Sequence, residues 1–410
     1  MNYAESLDYI MNIPHFAKTN TLERIGAILS ALDHPERKLR FLHVAGTNGK
    51  GSTVTMLSAV LRANGQRVGT FVSPFVYDFL ERIQIDCRPV APAVFAAALT
   101  RVRAVADALP ERANFFEILT AAALLIFHEA RCEVVVLEVG LGGRLDATNI
   151  IPAPQLAIIT SLGLDHTAYL GETLPEIAAE KCGIIKPGCM VITGAAHPPE
   201  VRAVIERACR AAGAPLLTAQ EDFSVLDECI AGTRISWRGV SFLLPLAGRH
   251  QRKNLALVLR AAEALAIPPE TVARGLQAVQ FPARLQIVCR APLTLVDGAH
   301  NPDGMRALCD AVRTLLPGRR ITTIFGCLRD KNMREMAQLA AQCSDTLILA
   351  PPPSPRAASP EELLAFCRGI PARDFEDAYR IARAQPELDV LLVCGSLYLA
   401  GASRPAHEAQ

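Results

Sequence analysis

From Arg40 onward, short apolar runs rich in β-branched residues alternate with stretches whose apolar positions return at helical spacing. FLHVAG precedes TVTMLSAVLRANG, RVGTFVSP follows, and EVVVLEVG and LAIITSLG repeat the pattern further on. This alternation predicts βαβ units around a parallel sheet. VVVLEV is almost unbroken in apolar character, as a strand covered by helices on both faces must be. Polar residues collect just beyond the strands instead. Gly46, Ser73, Glu138 and Asp165 are therefore expected along the carboxyl edge, where open α/β sheets bind their ligands.

A second series begins after Arg284 with LTLVDGAHNP, ITTIFGCL, DTLILAPPPSP and DVLLVCGSLYLAG, separated by helical segments such as MRALCDAVRTLL. It predicts a smaller α/β domain. FPAR and APL interrupt the pattern with prolines between Arg284 and Leu293, so the division is expected at 1–287 and 288–410. Between the two series, SVLDECIAGTRISWRGVSFLLPLAG reads as antiparallel strands joined by glycine-containing turns, an insertion near 220–247 at the end of the first domain.

Composition narrows the function classes. The 410 residues carry 42 basic and 41 acidic side chains, and a net charge of +1 supplies no field to gather a polyanion. Neither nucleic acid nor a membrane is expected as a partner. MNYAESLDYI lacks the basic segment and apolar run of a secretory signal, which points to the cytoplasm. The apolar stretch Ile118 to Phe127 is too short to span a bilayer and is expected as a buried helix. Twelve cysteines without a C-x-x-C pair read as reduced, packed thiols.

The sharpest chemical signal is FLHVAGTNGKGSTVTML: a strand, a glycine-rich turn, a lysine, a hydroxyl residue and a helix. Glycines let backbone N–H groups turn toward anionic oxygens, the helix start adds its positive dipole end, and Lys50 can neutralise β/γ-phosphate charge. Gly49, Lys50, Gly51 and Ser52 are the expected ATP contacts. Gly46 lies only three positions before Gly49, and Gly51 separates the lysine from Ser52, so the loop departs from G-x-x-x-x-G-K-[ST].

GTNGKGS resembles the form found in folylpolyglutamate synthases and, with variations, in the Mur ligases. Ser73-Pro74 with Glu81-Arg82-Ile83, then LEVGLGGRLDATNI, LDHTAYLG, EKCGIIKPG, GRHQRKN, FPARLQ, DGAHNP and GSLYLAG follow in that family's order. The resemblance runs from about Phe41 to Gly401. Phe75 departs from it, standing where many members carry histidine. The fold implied is a P-loop-type doubly wound sheet domain followed by a smaller Rossmann-like α/β domain.

The resemblance also implies roles. Ser73, Glu138 and His166 would ligate magnesium in two sites that share Glu138. Lys181, which alone would read as a surface lysine, corresponds to a lysine carbamylated by carbon dioxide. Asn254, Arg284 and Asp297 resemble nucleotide ligands, Arg284 at the hinge and Asp297 in the first turn of the second domain, and His300 is expected to stabilise transferring charge. Asn114, Phe115, Phe116 and Glu117, together with Leu145, Asp146 and Ala147, match positions that contact a pterin substrate.

The activity implied is ATP-dependent amide ligation. A carboxylate is activated as an acyl phosphate, and L-glutamate attacks it to give an amide, ADP and phosphate. The expected acceptors are dihydropteroate and the γ-carboxylate of a reduced folate, and the protein is expected to act as a monomer. Three other readings compete: a monofunctional folylpolyglutamate synthase, a cell-wall Mur ligase, and an ATP-binding switch. The cell-wall ligase would need an N-terminal substrate domain, for which forty residues before the phosphate loop leave no room.

Overall fold

The continuous apolar runs form the strands of a large sheet. In the computed structural model, which describes residues 1–15 and 21–404, these are β1 (Phe41–Ala45), β2 (Val68–Phe71), β3 (Ile83–Ile85), β4 (Arg88–Pro89), β5 (Val134–Glu138), β6 (Leu156–Ile159), β7 (Met190–Gly194) and β8 (Leu216–Ala219). They pair in the order β4-β3-β2-β5-β1-β6-β7-β8. All neighbours from β2 to β8 run parallel, and the β3–β4 hairpin adds antiparallel strands at one edge. The first strand in the chain thus lies inside the sheet between β5 and β6. Its carboxyl end opens at the point where the chain changes direction of travel, the usual ligand position in such sheets.

Helices cover both faces. Phe115–Glu129 contains the stretch read as a buried helix, and every side chain from Glu117 to Phe127 is buried. It packs with Ile10, Ile28, Phe95 and Leu99 in one apolar cluster. Ala178, Cys182, Ile184, Val201 and Ile205 form another with Ala157, Ile159 and Val191 of the sheet. Burying side chains of this size stabilises by roughly 1.5–3 kcal/mol each.

Two compact units emerge. The first comprises Met1–Phe75, Phe79–Asp222 and Lys253–Val279; the second comprises Val76–Asp78, Phe223–Arg252 and Gln280–Gln410. The chain crosses between them several times, so no single cut separates them. The antiparallel segment forms a three-stranded sheet of β9 (Ser224–Cys229), β10 (Gly232–Trp237) and β11 (Val240–Leu244), and it groups with the second unit.

The second unit has its own six-stranded sheet. Its strands β12 (Gln286–Arg290), β13 (Leu293–Val296), β14 (Ile321–Phe325), β15 (Thr346–Leu349), β16 (Ile370–Pro371) and β17 (Val390–Cys394) lie in the order β12-β13-β17-β14-β15-β16. Only β12 is antiparallel to its neighbour. Among the described residues, no helix is long and apolar enough to cross a membrane.

Candidate active site

β1 ends at Ala45, and the glycine-rich turn that follows is anchored on residues beyond β6. Thr47 donates its backbone N–H to the Ser161 carbonyl at 2.8 Å, and the Thr160 hydroxyl donates to the Asn48 carbonyl at 2.8 Å. Gly46 is glycine because a Cβ would stand 1.8 Å from the Thr160 hydroxyl. Gly49 takes φ +88°, and a Cβ there would lie 2.2 Å from Asn254 Oδ1. Asn254, buried on the helix Arg249–Ala264, therefore rests against the turn. Gly51, Ser52 and Thr53 are buried in the first turns of Lys50–Ala63. That helix presents the free N–H groups of its amino end, the arrangement that binds phosphate.

Lys50 is half-buried and folds its Nζ back onto its own turn, donating to the carbonyls of Gly46 and Thr47 at 3.1 Å each. A second lysine converges there. Lys181 sits in the last turn of Leu174–Cys182, a helix started by a Thr173–Glu176 capping box. It is 5% exposed, and its Nζ donates to Gly46 O at 2.8 Å. Burial pushes its ammonium down to about 7, the Lys50 charge pushes the same way, and Asp165 and Asp146 oppose both. Lys181 is thus a buried amine poised to lose its proton, unlike the solvated lysine its local sequence suggests.

Glu138 closes β5, is buried, and accepts from the Ser73 backbone N–H through Oε2 at 2.9 Å. His166 adopts φ +52° before the short helix Thr167–Leu170 and is exposed, with Nε2 3.9 Å from Asp165 Oδ1. Among the described residues, no group of three or more His, Cys, Asp or Glu side chains could hold a metal unaided. The oxygen donors of Glu138 and Ser73 fit magnesium, which is held through one or two carboxylates, nucleotide phosphates and waters. The imidazole of His166 is a softer donor.

The segment after β5, LEVGLGGRLDATNI, wraps closely around its neighbours. A Cβ on Gly140 would lie 2.6 Å from the Phe116 ring, and one on Gly143 would lie 2.8 Å from the Lys181 carbonyl oxygen. Asp146 is buried and bonded within its own loop. Its Oδ2 accepts from Leu141 N–H at 2.9 Å, and its Oδ1 accepts from the N–H and hydroxyl of Thr148. Burial raises its carboxyl pKa, and these donors offset part of that rise. Ala147 is buried and Leu145 is exposed. The Thr148 hydroxyl also meets His43 Nε2 at 2.8 Å, a residue that sequence reasoning passed over as part of an apolar strand.

The four residues from Asn114 to Glu117 divide their work. Asn114 and Glu117 form the capping box of Phe115–Glu129, and the buried Glu117 carboxylate pairs with Arg24 at 3.0 and 3.1 Å. Phe115 turns into the core beside His15 and Phe79, while Phe116 is half-buried between Phe71 and Gly140. The guanidinium of Arg82 lies 5.2–5.8 Å from the Phe75, Phe79 and Phe115 rings, so the phenylalanine after Ser73-Pro74 belongs to an aromatic cluster around a cation.

In the second unit, Asp297 follows β13 and is buried, held by the N–H groups of Leu285 and Ala299 at 2.8 Å each. Arg284 donates to the Ala283 carbonyl and lies 4.6 Å from the centre of the Phe281 ring. His300 Nδ1 is 2.8 Å from Gly298 O, so that nitrogen carries a proton and donates.

The family model of the Mur ligase middle domain matches residues 44–262, and that of the Mur ligase glutamate ligase domain matches residues 283–397. The chain is 37% identical to a folylpolyglutamate synthase of Lacticaseibacillus casei across 98% of both chains. It is 33% identical to a dihydrofolate synthase/folylpolyglutamate synthase of Bacillus subtilis across 97% of both. Among solved structures it resembles a Mycobacterium tuberculosis folylpolyglutamate synthase complexed with ADP and AMPPCP, at TM-score 0.90 and 30% identity over 99% of each chain. It also resembles E. coli FolC in complex with DHPP and ADP, at TM-score 0.89 and 30% identity over 100% and 98% of the two chains.

Proposed function

The chain belongs to the Mur ligase family, and on that premise we propose that it is an ATP-dependent ligase joining L-glutamate to dihydropteroate and to the γ-carboxylate of reduced folates. The observation that carries this reading is the convergence of Lys50 and Lys181 on the Gly46 carbonyl, at the carboxyl end of β1. A switch that only binds nucleotide has no need of the second, buried amine.

The substrate carboxylate attacks the γ-phosphorus, a new C–O–P linkage forms, and the bond to ADP breaks. The neutral amine of glutamate then adds to the acyl carbon and loses its proton, and the C–O bond to phosphate breaks as the amide forms. Lys50 and the helix N–H groups meet the charge on the transferring phosphoryl group. His300 adds a donor to the same charge. Asn254, Arg284 and Asp297 contact the nucleotide. Magnesium, held by Glu138 and Ser73 with His166 at a second site, would supply charge neutralisation for the phosphates. Lys181 in its neutral form attacks carbon dioxide, forming an N–C bond and releasing a proton, and the resulting carbamate turns a cation into an anion suited to that metal.

For the acceptor, Phe116 and Leu145 offer apolar surface beside the Gly140–Ala147 loop. Asn114, Phe115, Glu117, Asp146 and Ala147 set that surface in place. The enzyme acts as a monomer in the cytoplasm. A folylpolyglutamate synthase without dihydrofolate synthase activity is the second reading, favoured by the name of the L. casei relative. Glutamate-dependent ADP release, assayed separately with dihydropteroate and with tetrahydrofolate, tests both. Release with neither acceptor would overturn the ligase assignment, and release with tetrahydrofolate alone would establish the second reading.

A further inference from the structure

β1 carries a histidine in the middle of its apolar run. His43 is fully buried, its Nε2 meets the Thr148 hydroxyl at 2.8 Å, and its Nδ1 has no hydrogen-bond partner. The direction of the chain of bonds follows from the far end. Both Asp146 oxygens already accept backbone N–H groups, and the Thr148 hydroxyl donates to Oδ1, so the hydroxyl oxygen is left to accept from His43 Nε2–H. The other carboxylate oxygen receives Leu141 N–H. A continuous series of bonds therefore runs from the strand that bears the phosphate turn, through Thr148 and Asp146, into the glycine loop after β5.

That loop has a shape two partners depend on. Gly140 seats the ring of Phe116, and Gly143 lies against the backbone of Lys181. Both contacts are too close for any other residue, so a small shift of the loop would be felt at each. We propose that His43 and Thr148 are positioning residues that, through Asp146, hold the Gly140–Asp146 loop so that Phe116 and Lys181 keep their places relative to the phosphate turn. The assignment rests on the ligase reading given above and extends it to two residues that need not touch any substrate.

The chemistry of His43 suits a fixed donor. Burial, aided by the nearby Lys186 charge, pushes its imidazole down to about 3, so the ring stays neutral and does not switch its hydrogen-bonding role across the working pH range. A neutral ring with Nδ1 unprotonated has one donor, and it is spent on Thr148.

Paired substitutions separate the bond from the shape. His43→Leu and Thr148→Val remove the donor and the relay, whereas His43→Gln places an amide nitrogen near the former Nε2 and Thr148→Ser keeps the hydroxyl. The expected result is a rise of about tenfold in KM for dihydropteroate in the Leu and Val variants, the worth of one hydrogen bond in a charged series. KM for ATP should stay within about twofold, because the phosphate turn has its own anchors. Gln and Ser should recover most of the loss. Thermal melting of each variant separates loss of fold from loss of position. Wild-type KM in the Leu and Val variants would overturn the proposal, as would Gln and Ser variants as impaired as Leu and Val. A further readout is independent of activity: ring nitrogen NMR of His43 should show a neutral Nε2–H tautomer from about pH 5 to 8. A titrating or Nδ1-protonated ring would overturn the proposal even where the enzyme proves to be the ligase. A wild-type protein without ligation would defeat the functional reading while leaving the tautomer result to stand or fall alone.

Discussion

Lys50 and Lys181 donate to the same carbonyl oxygen, that of Gly46, at 3.1 and 2.8 Å. Two amines on one acceptor repel if both are charged, and the buried one yields first because desolvation penalises its ammonium most. On the ligase reading proposed above, Lys50 is the lysine left to meet phosphate, and Lys181, whose ammonium burial disfavours, is the one suited to act as a free amine.

Lys50→Ala should lower ligation by at least about a hundredfold, the scale of removing one preorganised charge from a transferring group. Lys50 is only half-buried and bonds to its own turn, so the fold should survive. Circular dichroism and steady-state turnover check this together. A native spectrum with near-normal turnover would remove Lys50 from the phosphate site.

Lys181 should take up carbon dioxide with a pH dependence set by its depressed pKa. With the amine titrating near 7, about a tenth is neutral one unit below and about nine-tenths one unit above. At fixed dissolved carbon dioxide, the carbamate signal in 13C NMR should therefore rise between those points, and Lys181→Ala should lack it. Stability in carbon dioxide-free buffer should follow the same group. Its folded pKa lies below the ordinary value of 10.5, so the unfolded chain binds the proton more tightly between the two, and stability should increase as pH rises from about 7.

The strands were legible because apolar runs and helical spacing are local signals, and the glycine turn was legible because its glycines, lysine and hydroxyl lie in one stretch. Lys181 shows where that legibility ends. Its tetrapeptide EKCG reads as solvent-facing, and what buries it is the approach of Gly143 and the reach of Nζ to Gly46, 135 residues away. His43 was hidden for the same reason, since Thr148 lies 105 residues further along. Asp146 was picked out by its motif, yet the bonds its carboxylate makes are to its own loop.

The Arg24–Glu117 pair offers a stability test. Arg24 is 6% exposed and Glu117 is 3% exposed, and their bidentate contact ties the Glu23–Ala31 helix to the start of Phe115–Glu129. Arg24→Met should destabilise by about 3–5 kcal/mol, because it strands a buried carboxylate. Adding Glu117→Gln should restore part of the loss, since the amide carries no charge to desolvate. Denaturant unfolding of the two variants measures the difference, and a single variant as stable as the double would show that the carboxylate is not buried uncompensated.

Gly140→Ala tests whether one pterin site serves both glutamate additions. The added methyl would stand 2.6 Å from the Phe116 ring, so the ring must move, whereas the phosphate turn is held by Thr160 and Ser161 and should not. If both acceptors lay their pterin against Phe116, KM for dihydropteroate and for tetrahydrofolate should rise together, by about tenfold for the loss of a stacking partner. KM for ATP should stay near wild type. A Phe116→Leu variant, which keeps apolar volume but removes the aromatic face, should show the same paired loss without the clash. A rise confined to one acceptor would mean that the two pterins bind in different places, and one enzyme would then hold two acceptor sites for a single acyl phosphate chemistry.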